Sequence, residues 1–201
     1  YKDGDYMPTW VAVNEDRNGG NGDIWVADGY GQHHVHRYDK SGNFILNING
    51  IEGSAGAFNT PHAIFFDFRK DEPELYVADR SNGRVQVYDA EGKFKRVFGE
   101  DFMTSPSGFA THDNLMVIAE LKARVLLVDV EDKLVASLGG DPEVADTEGW
   151  PNDLDDTGKP IRPKSLAYGK FNSPHGMAVD AEGNIYVAEW LVGGRHIKLA
   201  K

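Results

Sequence analysis

The chain repeats itself. Aligned on Pro8, Pro61, Pro106 and Pro174, each proline is followed by the same succession of short apolar segments and turns. After Pro8 come "TWVAV", "DIWVADGY", "HVHRYD" and "SGNFI". After Pro61 come "HAIFFDF" and "ELYVADRSNGRVQVYDAEGKFKRVFG". After Pro106 come "SGFAT" and "NLMVIAELKARVLLVDVEDKLVASLG", and after Pro174 "HGMAVDAEGNIYVAEWLVGGRHIKLAK". On this alignment Ile24, Leu75, Leu115 and Ile185 are equivalent, as are Val26, Val77, Val117 and Val187. Such a period constrains the fold strongly, because each repeat buries its apolar face only against its neighbours.

Within a repeat the apolar segments are short, rich in Val, Ile and Tyr, and several alternate, which is the strand pattern. They are separated by Asp28-Gly29, Asn82-Gly83, Glu91-Gly92 and Glu182-Gly183. Glycine supplies the positive φ that hairpin turns need. No stretch has the spacing of an amphipathic helix. Each repeat reads as four antiparallel strands: the proline opens the innermost, "YVAD" forms the second, "RVQVYD" the third and "KFKRVFG" the outermost. Four-stranded repeats of roughly 40–50 residues are propeller blades. The expected fold is all-β, a single propeller domain over 1–201 with blades near 1–57, 58–103, 104–140 and 171–201. The last repeat stops after its third strand and the first has little ahead of it, so the chain is expected to be part of a larger propeller whose first blades lie upstream, a closed four-bladed ring being the rarer alternative.

Residues 141–170, "DPEVADTEGWPNDLDDTGKPIRPKSLAYGK", break the rhythm and read as a long irregular insertion, either a solvated loop or a lid over the central channel. "DLDDTG" resembles the start of a calcium loop, but the twelfth position holds Lys164 where a bidentate acid is needed.

The totals exclude several classes of function. The formal charge is −11, from 32 acidic and 21 basic residues, with no run of Lys or Arg, so nucleic acid and anionic membrane surfaces are not expected partners. No apolar stretch has the length of a membrane span. The absence of cysteine excludes disulfides and thiolate metal sites.

"PHGMAVDAEGNIYVAE" and "LYVADRSNGRVQVYDAEGKFKRVFG" carry the NHL-repeat pattern. More narrowly, "IWVADGYGQHHVHRYDKSGNFI", "FNTPHAIFF", "LYVADRSNGRVQVYD" and "FNSPHGMAV" resemble, in order and spacing, the catalytic core of the peptidyl-α-hydroxyglycine α-amidating lyases. The resemblance runs from Pro8 to about Leu199, outside the insertion. It implies an NHL-type six-bladed propeller, a zinc held by three histidines, a catalytic tyrosine and arginines that bind a terminal carboxylate. Carried over by position, the metal ligands are His62 and His175, the tyrosine is Tyr30 and the arginine is Arg80, which has both a catalytic and a substrate-binding role. The third histidine and a further arginine would lie upstream. The resemblance also implies a small-molecule or peptide substrate with a terminal carboxylate, and an extracellular or periplasmic location. The chain departs from the family at Gly31, where the family has a disulfide cysteine, and at Gly176, where it has an acid that helps hold a structural calcium, so calcium is doubtful. The arginine ahead of the third strand, Arg84 and Arg124 in the middle repeats, reads as His34 in the first repeat and His196 in the last.

The two histidines can also be placed without the family. His62 and His175 follow the proline in the second and fourth repeats, whereas Thr9 and Ser107 hold that position in the first and third. In a six-bladed ring the two histidine blades would lie about 120° apart, and a third ligand in the blade before the first repeat would complete a threefold set with an open position, as in a catalytic zinc site. The competing reading is that histidine merely tolerates a half-polar position. Tyr30 is either a general base or a turn residue packed on a blade, and Arg80 a carboxylate clamp or an interblade ion pair. A tyrosine base needs a nearby cation or metal to favour its charged form. Trp190 follows "VAE" near the phase of Tyr30 and Arg80 and is a candidate for substrate binding, and Trp25 reads as blade core. His33, His34 and His36 split between two strand faces and do not read as a three-ligand site. His112 reads as a solvated turn residue. Three kinds of function fit the sequence: a zinc-dependent carbon–nitrogen lyase, a non-enzymatic NHL scaffold, or another propeller enzyme such as a lactonase. Bound metal at His62 and His175 separates the enzymes from the scaffold.

Overall fold

A computed structural model of the protein describes residues 4–201. It is all-β, built from propeller blades, with no α-helix among the described residues. Blade 1 holds β1 (Trp10–Val13), β2 (Ile24–Asp28), β3 (His34–Tyr38) and β4 (Phe44–Ile48). Blade 2 holds β5 (Pro61–Asp67), β6 (Glu74–Asp79), β7 (Arg84–Asp89) and β8 (Phe94–Phe98). Blade 3 holds β9 (Pro106–His112), β10 (Leu115–Glu120), β11 (Arg124–Val128) and β12 (Leu134–Leu138). The insertion contributes a two-stranded hairpin, β13 (Asp153–Leu154) and β14 (Pro160–Ile161). Blade 4 holds β15 (Pro174–Val179), β16 (Ile185–Glu189) and β17 (Arg195–Leu199). Within each blade the strands pair in chain order. The sequence places Pro8 at the start of the first strand, but β1 begins at Trp10, whereas Pro61, Pro106 and Pro174 do open their strands.

The chain divides into two compact units, residues 1–106 and 107–201. In the first, blade 1 packs Trp25, Ala27, Val35 and Ile48 against Phe58, Ile64, Phe66, Leu75, Val77 and Tyr88 of blade 2. In the second, Val117 and Val125 of blade 3, with Leu127 and Leu138, meet Phe171, Ile185 and Val187 of blade 4. Fully burying a side chain of this size contributes about 1.5–3 kcal/mol. Trp25 is buried blade core.

The strand register corrects the alignment of repeats. The second strand of every blade ends on a buried acid, Asp28, Asp79, Glu120 or Glu189, and opposite it stand His34, Arg84, Arg124 and Arg195. Arg195, not His196, is therefore the counterpart of Arg84 and Arg124. Counting back from the acids, Met116 and Ile118 match Leu75 and Val77, one residue beyond the Leu115 and Val117 that the sequence aligns. The slip arises because only residues 121–123 separate Glu120 from Arg124, against 80–83 between Asp79 and Arg84.

The hairpin turns between third and fourth strands share a second device. In each, an aspartate accepts backbone N–H groups two and four residues on: Asp39 from Ser41 and Asn43, Asp89 from Glu91 and Lys93, Asp129 from Glu131 and Lys133. The left-handed position is Gly42 or Gly92 in two of them, and Asp132 (φ 63) in the third. Gly29 works differently. Its φ is not left-handed, but a Cβ there would lie 2.4 Å from the Pro61 carbonyl oxygen, so it permits a close backbone approach.

Candidate functional site

The start of each first strand and the exit of each second strand lie together. In blade 2 the Asp79 carboxylate accepts the Asn59 N–H (2.7 Å) and the guanidinium Nε of Arg84 (2.8 Å). In blade 4 Glu189 accepts the N–H groups of Asn172 (2.6 Å) and Ser173 (3.2 Å) and pairs with Arg195. In blade 1 Asp28 accepts the N–H of Met7 (2.6 Å) and of Gln32 (2.7 Å). A buried carboxylate paired with arginine and satisfied by backbone N–H groups is a rigid anchor. In blades 2 and 4 it fixes the residues just ahead of β5 and β15, and therefore the Pro-His steps of "FNTPH" and "FNSPH". The remaining backbone bonds define the rim: the N–H of Arg80 donates to Thr60 O (3.2 Å), and that of Trp190 to Ser173 O (2.9 Å). Arg80 and Trp190 thus occupy the same position in their blades.

Both histidines sit where the register shifts. The β5–β6 ladder slips between Pro61 and Ile64, and the β15–β16 ladder between Pro174 and Gly176, whereas β1 and β2 pair without interruption from Trp10↔Ala27 to Val13↔Ile24. A bulge re-aims a side chain that regular pleating would point elsewhere. The hydroxyl residues of the preceding blades hold these bulged segments. Thr9 Oγ1 donates to Ala27 O (3.3 Å) and Pro61 O (3.1 Å), and Ser107 Oγ donates to Ala119 O (3.0 Å) and Pro174 O (2.9 Å). Alternation of hydroxyl and histidine along the sequence is therefore one arrangement made twice: the hydroxyl of one blade ties down the proline carbonyl beside the histidine of the next.

In the first unit three of the expected site residues converge. His62 is buried, at 2% exposure, with its ring 5.7 Å from that of Tyr30 in edge contact and 6.3 Å from that of Trp10. Tyr30 is half exposed, at 50%. Arg80 donates from Nη2 to the Tyr30 hydroxyl (3.1 Å), and its guanidinium carbon lies 5.3 Å from the centre of the tyrosine ring. Residues 30, 62 and 80 come from three separate segments, so this meeting is a product of the fold. In the second unit His175 is partly buried and Trp190 is 58% exposed at the same end of blade 4.

Imidazole nitrogens are donors that zinc takes, and His62 and His175 have the type and the anchored backbone for that role. Among the described residues, no three His, Cys, Asp or Glu side chains gather closely enough to hold an ion. At Gly31, where the resemblance implies cysteine, a Cβ would stand 2.2 Å from Asp28 Oδ1. At Gly176 a Cβ would meet nothing within 4 Å, so the lack of an acid there is a choice of sequence, not of space. His34 and His36 stack with ring centres 5.9 Å apart, while His33 stands outside the strand at φ 58. His36 is largely buried, and its loss of solvent, with the neighbouring His34, holds its basicity below the usual histidine range against the opposing pull of Asp28. His112 is not a free turn residue: it ends β9 and meets Asp113 (3.3 Å). Asp155 of "DLDDTG" places its carboxylate on the N–H groups of Thr157 and Lys159, closing a turn. The anchoring role of Asp79 and Glu189 and the hydroxyl bridges of Thr9 and Ser107 escape a reading of the sequence. Their signal is visible in hindsight as an acid ending every "YVA" segment and a hydroxyl residue alternating with histidine.

The family model of the NHL repeat matches residues 171–196, the segment that carries His175, Trp190 and Arg195. A probable peptidyl-α-hydroxyglycine α-amidating lyase of Caenorhabditis elegans is 29% identical over 184 residues, 90% of this chain and 46% of that protein. The peptidyl-α-hydroxyglycine α-amidating lyase 1 of Drosophila melanogaster is 31% identical over 201 aligned residues, 90% of this chain and 33% of that protein. The chain thus spans less than half the length of these relatives. A solved structure of a Bacteroides thetaiotaomicron protein aligns with 96% of this chain and 47% of its own at a TM-score of 0.64 and 19% identity, a likeness of fold alone. No helix among the described residues is long and apolar enough to cross a membrane.

Proposed function

Because the chain is an NHL-repeat β-propeller that resembles the amidating lyases, we propose that it forms part of a zinc-dependent carbon–nitrogen lyase. Its substrate class is a peptide or small amide ending in α-hydroxyglycine, and its products are an amide and glyoxylate. The observation that carries this reading is the convergence of Tyr30, Arg80 and His62. The guanidinium of Arg80 binds the substrate's terminal carboxylate, a charge-assisted contact that fixes the reacting carbon beside the tyrosine. Tyr30 takes the proton of the substrate hydroxyl. The electron pair left on that oxygen forms the aldehyde carbonyl, the C–N bond breaks, and the amide nitrogen takes up the proton. Tyr30 accepts this proton as the phenolate, so the negative charge facing Arg80 is neutralised as the proton arrives and returns when the proton passes to the amide nitrogen. His62 and His175 are the proposed zinc ligands. Zinc, when bound, would polarise the substrate hydroxyl as a Lewis acid. An extracellular or periplasmic location is part of the same proposal.

The test is glyoxylate release from a peptidyl-α-hydroxyglycine by the intact protein, alongside metal analysis. Stoichiometric zinc is expected, lost in His62→Ala and in His175→Ala. Tyr30→Phe is expected to lower kcat by about 10²–10⁴-fold, the usual range for a general acid–base group, and Arg80→Ala to raise KM. Protein that carries no zinc and releases no glyoxylate overturns the proposal in favour of a binding scaffold.

A further inference from the structure

The 141–170 insertion is a long loop that carries short regular elements and is tied down at several points. Its neck is closed by Phe171 N–H donating to Gly139 O (2.9 Å), Lys170 Nζ to Gly140 O (2.6 Å) and Asp141 N–H to Ala123 O (3.0 Å). Its body comprises a 3-10 turn at Pro142–Asp146 and the β13–β14 hairpin. That body is fastened to the turn that follows β16 and to the strand ends beside it. The Val192 N–H donates to Asn152 Oδ1 (2.6 Å), and Arg162 Nη1 donates to Gly194 O (2.7 Å) and Val192 O (3.4 Å). Arg162 lies so close that a Cβ on Gly193 would stand 2.8 Å from its Nη1. On the strand side, Trp150 Nε1 donates to Asn172 O (3.1 Å), two residues ahead of Pro174. Arg195 Nη2 donates to Lys170 O (2.8 Å) while its Nε pairs with Glu189.

The turn held in this way begins at Trp190. On its other side Trp190 is fixed by Ser173, whose carbonyl accepts the Trp190 N–H and whose hydroxyl donates to Trp190 O (2.8 Å). The backbone of Trp190 is therefore clamped from both directions, yet its indole is 58% exposed. Its blade position is that of Arg80, at the end of the blade that carries His175. A large aromatic surface left open on an immobilised backbone at a rim is a preorganised stacking surface.

We propose that the insertion is a fixed wall that positions Trp190, and that Trp190 is a stacking subsite for an aromatic side chain of the peptide ligand. Asn152 and Arg162 are positioning residues that act through Trp190. The inference deepens the lyase reading and rests on it for the end of the peptide that enters.

Equilibrium binding of two uncleaved peptides, acetyl-Phe-Gly and acetyl-Ala-Gly, to the intact protein tests the subsite apart from turnover. The Phe peptide is expected to bind about five- to tenfold more tightly, within the roughly two- to twelvefold that an aromatic pair contributes. Trp190→Ala and Arg162→Ala should each reduce that preference to within about twofold, and Arg162→Lys should restore part of it. Trp190 is exposed, so its variant leaves the fold intact and decides the matter even if an Arg162 variant does not fold. Amide exchange gives a second readout: the Val192 N–H should lose protection in Asn152→Ala. Equal affinity of the wild type for both peptides, failure to bind either, or a preference that survives in Trp190→Ala overturns the proposal. Absent glyoxylate release with the aromatic preference intact removes the lyase reading and leaves the subsite standing.

Discussion

At the residue scale, a proline carbonyl beside each candidate ligand is held by a hydroxyl from another strand. Ser107 is fully buried, and its oxygen serves Ala119 O and Pro174 O together. Ser107→Ala leaves both carbonyls without that donor in a site closed to water. The expected cost is about 1–3 kcal/mol, the range for a buried polar group left unsatisfied, read as a lowered midpoint in urea unfolding. An unchanged midpoint would show that the bridge does not hold the bulged strand. Ser107→Thr keeps the hydroxyl and is expected to recover part of the loss. Sequence comparison places a serine at this position and a histidine in the next repeat. It does not reveal that one side chain supports the backbone of the other, because that bond spans 67 residues.

At the scale of elements, ion pairs join strands that backbone pairing does not. Glu74, at the start of β6, is reached by Arg96 (2.8 Å) and Lys95 (2.5 Å) from β8 and by Lys70 (3.2 Å) ahead of β6. Burial alone would raise its pKa. The hydrogen bonds from Arg96 and Lys95, with the charges of Arg96 and Lys70, outweigh it and bring the carboxyl down to about 2. A depressed carboxyl stabilises the fold above its unfolded pKa of about 4.5, and the contribution disappears as pH falls toward 2. The stability gap between the wild type and Glu74→Gln should therefore be constant above about pH 5 and shrink steadily below it. Denaturant unfolding at a series of pH values reads the gap directly, and taking the difference removes the other carboxylates. A gap independent of pH would mean that Glu74 acts through shape and not charge. The elements themselves were legible from strand composition and glycine turns. Their register in blade 3 was not, because register is set by the acid–arginine pair and the length of the turn between, and an apolar run such as "LMVIA" fits equally well one residue either way.

At the scale of the molecule, the sequence by itself determined the repeat, the all-β propeller class, the number of blades present and the candidacy of Tyr30, His62, Arg80, His175 and Trp190. It could do so because a propeller blade is a local unit: its strands, turns and alternation are written within some fifty residues, and homologous blades restate one another. The tertiary structure decided that Tyr30, Arg80 and His62 meet, that Arg195 and not His196 completes the fourth blade's ion pair, and that residues 141–170 are hydrogen-bonded to the turn after β16. Each of these depends on contacts between segments far apart in the chain. Proximity of that kind is fixed by packing and by buried hydrogen bonds, which no single segment encodes.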